Sequence, residues 1–314
     1  MAVTPKNPSS WQNDFTIYWS QLYTLYAREI FWHDQLCDNG YTGFPDPQYG
    51  IDELAREPDL TAFHEEGDTQ HIGIRCFEQL KTTEGDFKGD SLDYVREAIE
   101  QVSKFNSIPK SEVSDWLDVR GIDFEPTNQE SVALIPKELY ELYEEDIEEI
   151  SSSENVLIWT IEPNGSSTIK KRRGSHSNRR LESAISSGME TYPNADDLLR
   201  FSRRTNTDYL KFAFVHKLVN HCARENKLEF SFEDIDEIMT ESQPPILGHL
   251  PRETRENDFW RDFLYSMLTR FDLIDQSDQE NMYVWNKRKF LTEPRYQSRI
   301  LEKVRNQLDI GEKA

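Results

Sequence analysis

Between Glu57 and Phe87 the chain reads EPDLTAFHEEGDTQHIGIRCFEQLKTTEGDF, and three of these side chains have the types and spacing for phosphodiester chemistry. Asp59 follows Pro58 and opens a run that alternates to Glu65. A turn at Glu66-Gly67-Asp68 leads into a second alternating run, His71 to Leu80. Two such runs around a turn predict a β-hairpin. Side chains alternate across a strand, so Arg75, Phe77, Gln79 and Lys81 share one face, with Gln79 and Lys81 expected at the strand end nearest Asp59. A carboxylate beside an amide oxygen suits Mg²⁺, which takes a few protein oxygens and keeps several waters. A lysine beside that ion orients the attacking water and offsets charge on the phosphate. The same residues also have an ordinary reading. Pro-Asp before a strand is common turn chemistry, and Gln and Lys on a strand commonly form a solvated face.

The elements that must position these residues follow from periodicity. Asn13 or Asp14 caps a predicted helix to about Leu36, with Phe15, Tyr18, Leu22, Leu25, Tyr26 and Ile30 at helical spacing. Residues 40–50 read as a Gly/Pro loop. Ser91 to Phe105 is helical, with Leu92, Val95, Ile99 and Val102 on one face. Ser131 to Pro136 and Val156 to Ile161 read as short buried strands around an acidic helix, Lys137 to Ile150. Asn164-Gly165 turns the chain into a last strand, Ser167 to Lys171. The order predicts an α/β fold, a mixed sheet flanked by helices.

With those elements in place, the stretch resembles the PD-(D/E)xK nuclease superfamily, the restriction-endonuclease-like fold. Pro58-Asp59 matches its first motif. Gln79-Leu80-Lys81 matches the second, with Gln where most members have an acid, as in the Mrr-like QxK branch. LKTTEGDF is similar to the family's continuation after that strand, and REAIEQVSKF (Arg96 to Phe105) resembles the helix after the core. The resemblance covers roughly residues 10 to 172. It implies a DNA-cleaving site of Asp59, Gln79, Lys81 and Glu29 using Mg²⁺ or Mn²⁺, with Asp59 and Glu29 on the metal. Glu29 lies on the apolar face of the first helix, and its other reading is an acid at the edge of a core stripe paired with Arg28. Gln101 is a secondary candidate.

Elsewhere the chemistry is sparse. Lys170, Lys171, Arg172, Arg173, Arg179 and Arg180 form the one dense basic run, and no acid occurs between Pro163 and Leu181. It reads either as a phosphate contact or as a linker screening the acidic helix. Cys37, Cys76 and Cys222 fit no zinc spacing and read as buried thiols in a reducing compartment. Seven histidines show no metal spacing, and no Walker loop or Ser/Cys–His nucleophile pattern appears. The opening residues hold no apolar signal core, and no apolar run approaches the roughly 20 residues of a membrane helix, so a cytoplasmic protein is expected.

The chain is strongly acidic, 58 Asp and Glu against 36 Lys and Arg in 314 residues, a net charge of -22. With carboxylates along the whole chain, this reads as the solvated surface of a halophilic protein rather than as one acidic tail. Aromatics make up 12% of the residues and supply a core. After Gly174 the composition turns polar, and a second pattern begins: helix, strand, helix, helix, hairpin, the order of a winged helix. The expected organisation is a nuclease-like domain over 1–173, a basic linker over 174–204 and an α-rich winged-helix-like domain over 205–314. The expected function is DNA phosphodiester hydrolysis in restriction or defence, with DNA as partner and with further proteins of a defence complex or a homodimer also compatible. The alternatives are a nuclease fold that binds or assembles without cutting, and a winged-helix regulator.

Overall fold

The structure, a computed structural model, describes residues 40–45, 47, 49, 58–64, 70–77, 89–119, 121–162, 168–190, 201, 203, 205, 207–241, 246–279, 281–286 and 294–308. The described chain forms two compact units, one within 14–198 and one within 199–314. The helix expected over 13–36 lies outside the described residues.

The first unit is an α/β structure built on a seven-stranded mixed sheet whose strands stand in chain order. β1 (Tyr41–Pro45), β2 (Leu60–His64) and β3 (Gln70–Cys76) form an antiparallel meander. The chain then leaves through α1 (Ser91–Ser103), a 3₁₀ turn (Lys104–Ser107) and α2 (Lys110–Asp118), and returns as β4 (Asn128–Pro136), parallel to β3. A second helical crossover leads to β5 (Val156–Ile161), parallel to β4. β6 (Thr168–Arg173), α5 (Arg179–Ser187) and β7 (Met189–Glu190) close the far edge antiparallel.

Parallel strands need crossover connections, here helical, and covering the sheet on both faces explains why β2, β3 and β5 are buried along their whole length. One face packs Leu60, Ile72, Ile74, Val132, Leu134 and Trp159 against Leu181 and Ile185 of α5. The other packs Ala133, Ile135 and Ile158 against Val95, Ile99 and Val102 of α1. Gly73 is required on that face, since a Cβ there would lie 2.8 Å from the Phe105 ring.

The observed elements depart from the sequence reading in four places. Residues 41–45, read as loop, are an edge strand; Pro45 is tolerated because it ends the strand at the sheet's margin. The helix expected over 137–150 is two helices, α3 (Lys137–Leu142) and α4 (Glu144–Glu154), separated at Tyr143 (φ -124°, ψ 33°). The break moves Glu144, Glu145 and Asp146 from mid-helix positions into the first turn of α4, where the helix dipole favours carboxylates. α2 went unread. Residues 174–190 are not linker: Asn178 caps α5, accepting from the Arg180 and Leu181 N–H groups, and β7 completes the sheet.

The second unit comprises α6 (Thr207–Arg224), β8 (Glu229–Ser231), α7 (Phe232–Glu241), α8 (residues 252–270), β9 (Ile274–Gln276), β10 (Met282–Trp285) and α9 (Pro294–Gln307). β10 lies between β8 and β9, both antiparallel to it. α8, which helical periodicity predicts from Asp258 to about Phe271, begins already at Arg252 and is π-wound over Glu256–Trp260 and Ser266–Arg270. Asp236 holds α7 to it, paired with Arg255 at 2.7 Å and accepting from the Trp260 indole at 3.0 Å.

Division into units changes the meaning of the net charge. Residues 14–198 hold 38 acidic and 16 basic side chains, a net of -22, while residues 1–13 and 199–314 together hold 20 and 20, a net of 0. Carboxylates occur along the whole chain, but the net negative charge falls on the first unit, because basic residues balance them in the second. Among the described residues no helix is long and apolar enough to cross a membrane.

Candidate functional site

Asp59 stands immediately before β2, its N–H donating to the Ile74 carbonyl at 2.9 Å, so it is already paired to β3. Its side chain is 1% exposed. Oδ2 accepts the Cys76 N–H at 2.7 Å, and Oδ1 lies 3.6 Å from the Arg75 guanidinium, itself 5% exposed. The hairpin register causes this pair. Leu60 faces Ile74, which sets Asp59 across from Arg75 on the face that also carries Thr61, His71 and Gly73.

Of the residues expected around Asp59, Gln79, Lys81 and Glu29 lie outside the described residues. β3 is described only to Cys76, followed by Phe77, whose N–H continues the pairing to the Leu134 carbonyl at 3.0 Å. Gln101 is on α1 and donates to Glu97 of the same helix at 2.7 Å; its carbonyl oxygen is buried without a partner among the described residues. Asp59 offers one carboxylate to a divalent ion, and both its oxygens have partners. No group of three potential metal ligands occurs among the described residues. Those residues alone do not make a metal site; Glu29 or the Gln79 oxygen would have to complete it.

The basic run is a strand and a helix start. A bulge beside Trp159 inserts Arg172 into β6 and divides the run between the sheet's two faces. Lys171 pairs with Glu182 on α5. Arg172 donates to Thr160 at 2.9 Å and lies over the Tyr140 ring at 5.7 Å. Arg173 reaches Ser152 at 3.0 Å and Glu148 at 3.7 Å on α4. Lys170, Arg179 and Arg180 are exposed. Two of the six, Lys171 and Arg173, are thus paired with the unit's own carboxylates.

Two buried polar networks were not anticipated. In the first, Glu130 on β4 accepts from His176 Nδ1 at 2.5 Å and from the Ser177 N–H at 2.8 Å. The Trp159 indole donates to His176 Nε2 at 3.0 Å. An indole N–H can only donate, so Nε2 is the acceptor and the neutral ring carries its proton on Nδ1. Gln70 donates to Ser177 at 2.9 Å and accepts from Tyr41, while Glu182 accepts the His176 N–H at 2.9 Å. Burial acts to raise the Glu130 carboxyl, but the His176 and Ser177 bonds outweigh it and hold it below its ordinary value. The arrangement resembles an acid–histidine pair, yet the third member is an indole, so it activates no nucleophile. It clamps the 174–178 turn to the sheet.

In the second network His71, fully buried, shares Nε2 with the Tyr49 hydroxyl at 2.7 Å and the Thr61 hydroxyl at 2.8 Å. Its ring stacks on Phe63, centroids 4.3 Å apart. Nδ1 has no partner among the described residues, and burial holds the imidazole well below its ordinary value, so it is neutral. Cys76 and Cys222 are buried, and burial pushes the Cys222 thiol up to about 11. Cys37 lies outside the described residues.

No protein-family model, curated protein or solved structure matches the chain.

Proposed function

We propose that the chain is a restriction-endonuclease-like protein that hydrolyses nucleic-acid phosphodiesters with Mg²⁺ or Mn²⁺ at Asp59, Gln79 and Lys81, with a winged-helix-like second unit contacting DNA or a partner. One observation carries the reading. An antiparallel meander passes through a helical crossover into a parallel strand, and Asp59 lies at the start of β2 beside the end of β3, from which the sequence runs directly to Gln79-Leu80-Lys81. For the second unit, the support is the order helix, strand, helix, helix, hairpin with β10 between β8 and β9, and a net charge near zero that does not repel a polyanion. Metal-dependent cleavage of plasmid DNA that disappears in Lys81→Ala tests it.

A second reading, a nuclease fold that binds or assembles without cutting, is favoured by the Asp59–Arg75 pair. Arg75 supplies the positive charge that a metal ion would otherwise bring.

A further inference from the structure

The second unit contains a cleft of about 510 Å³ that the proposed hydrolysis does not use. Glu233 at the start of α7, Arg252, Glu256 and Arg261 on α8, and Asn281 and Tyr283 at the start of β10 line it. How Arg261 comes to face the cleft is informative. Over Glu256–Trp260 the helix is π-wound, and the Arg261 N–H donates to the Glu256 carbonyl five residues back. In an α-helix a residue five positions on is turned about 140° away. In a π turn it sits nearly above the first. The winding therefore brings Arg261 to the side of Arg252 and Glu256. Such turns are rare and occur frequently at functional sites.

The polar groups of the cleft are not all spent on one another. Arg252 binds Glu256 at 2.6 Å. Among the described residues Arg261 makes no ion pair, and neither the Asn281 amide nor the Tyr283 hydroxyl makes a hydrogen bond. Glu233 lies near Arg252 without contacting it as an ion pair. Tyr283 stacks on Phe230 (centroids 5.9 Å apart, planes at 21°), which fixes its ring at the cleft wall.

We infer that this cleft binds a phosphate-bearing ligand of nucleotide size. The Arg261 guanidinium takes the phosphate, the form of recognition to which its planar donor fork is suited. The Tyr283 hydroxyl and Asn281 amide add neutral donors, and the Glu233 carboxylate accepts from sugar hydroxyls or a base amino group. The volume lies within the range of about 300–1,000 Å³ that small ligands occupy. A free nucleotide and the phosphorylated end of a nucleic-acid strand share this chemistry. The inference is independent of cleavage at Asp59.

Calorimetric titration of the full chain in a chelator, so that no cleavage interferes, tests it. The probes are adenosine 5′-monophosphate, adenosine, inorganic phosphate, and a trinucleotide with and without a 5′-phosphate. Saturable binding of the monophosphate, much weaker binding of adenosine, and a loss of at least about tenfold in Arg261→Gln with partial recovery in Arg261→Lys are expected. Tighter binding of the phosphorylated trinucleotide than of the monophosphate would assign the strand end, and the reverse order a free nucleotide. Circular-dichroism melting of each variant verifies its fold, and Tyr283→Phe, which keeps the ring, provides an independent loss of one donor. Absence of saturable monophosphate binding to about 1 mM, equal affinity for adenosine, or unchanged affinity in both Arg261→Gln and Tyr283→Phe would overturn the inference. Asp59→Asn should leave this binding unchanged, which separates its failure from failure of the hydrolytic reading.

Discussion

Arg75 and Asp59 face each other across the β2–β3 hairpin, 3.6 Å apart, both nearly sealed from solvent. Breaking a buried ion pair by removing one partner costs about 3 kcal/mol or more. Asp59→Ala should therefore lose stability of that order, and Asp59→Ala with Arg75→Met should recover most of it. Denaturant unfolding of the two single variants and the double variant measures the coupling. Additive losses would show that the pair is incidental. Any activity lost in Asp59→Ala must be judged against this, so Lys81→Ala is the cleaner probe of chemistry.

The pair also decides between the two functional readings. If Arg75 takes the place of a cation, Arg75→Met should acquire Mn²⁺ affinity that the wild type lacks, seen as free Mn²⁺ lost from the electron paramagnetic resonance spectrum. Asp59-dependent Mn²⁺ binding by the wild type would instead favour a working metal site.

His71 gives a pH dependence with a defined sign. Its imidazole is held below the ordinary value when folded, so the unfolded chain binds the proton more tightly. Its contribution is fully present above about pH 6.5 and is lost as pH falls below that, by up to about 1.4 kcal/mol per pH unit. His71→Phe should flatten the decline between pH 6.5 and 5 in a stability profile. An unchanged slope would place the acid sensitivity elsewhere.

The His176 clamp predicts where α5 is held. Glu130→Gln weakens two charge-assisted bonds, so amide hydrogen exchange should rise over 174–190 while β3 and β4 stay protected. Glu130 is depressed in the fold, so its stabilisation is present above about pH 4.5 and disappears as pH falls through its folded value. Exchange that rises uniformly across the sheet would contradict a local clamp.

Concentrated acidity predicts a split response to salt. Screening from about 0.1 M to about 1 M KCl should raise the melting temperature of the first unit far more than that of the second. Calorimetry with the two transitions resolved would show it, and equal shifts would return the halophilic reading to the whole chain.

The sequence was legible where a period or a turn was strong. The hairpin around Glu66-Gly67-Asp68, the strands VALIP and VLIWTI, α1 and the order of the second unit all follow from alternation or helical spacing. α2 does carry a signal in the sequence: Pro109 before Lys110, then Val113, Trp116 and Leu117 on one side. The same holds for α5, with Asn178 as cap, Leu181 and Ile185 four apart and Gly188 after the end. Polar composition over 174–180 concealed these, because the His176 and Ser177 partners are far away in sequence at Gln70 and Glu130. The Asp59–Arg75 pair was hidden for a related reason: alternation gives a face, but only the register fixes which residue lies opposite. The π turns of α8 have no composition signal.

The central claim, metal-dependent cleavage at the Asp59–Lys81 site, is tested most directly by incubating supercoiled plasmid in Mg²⁺ or Mn²⁺ with wild type and with Lys81→Ala of equal melting temperature, at low and high KCl. The account predicts nicked and linear products from the wild type, none with chelator and none from Lys81→Ala. Intact plasmid from the wild type under every condition, or equal cleavage by Lys81→Ala, would contradict it.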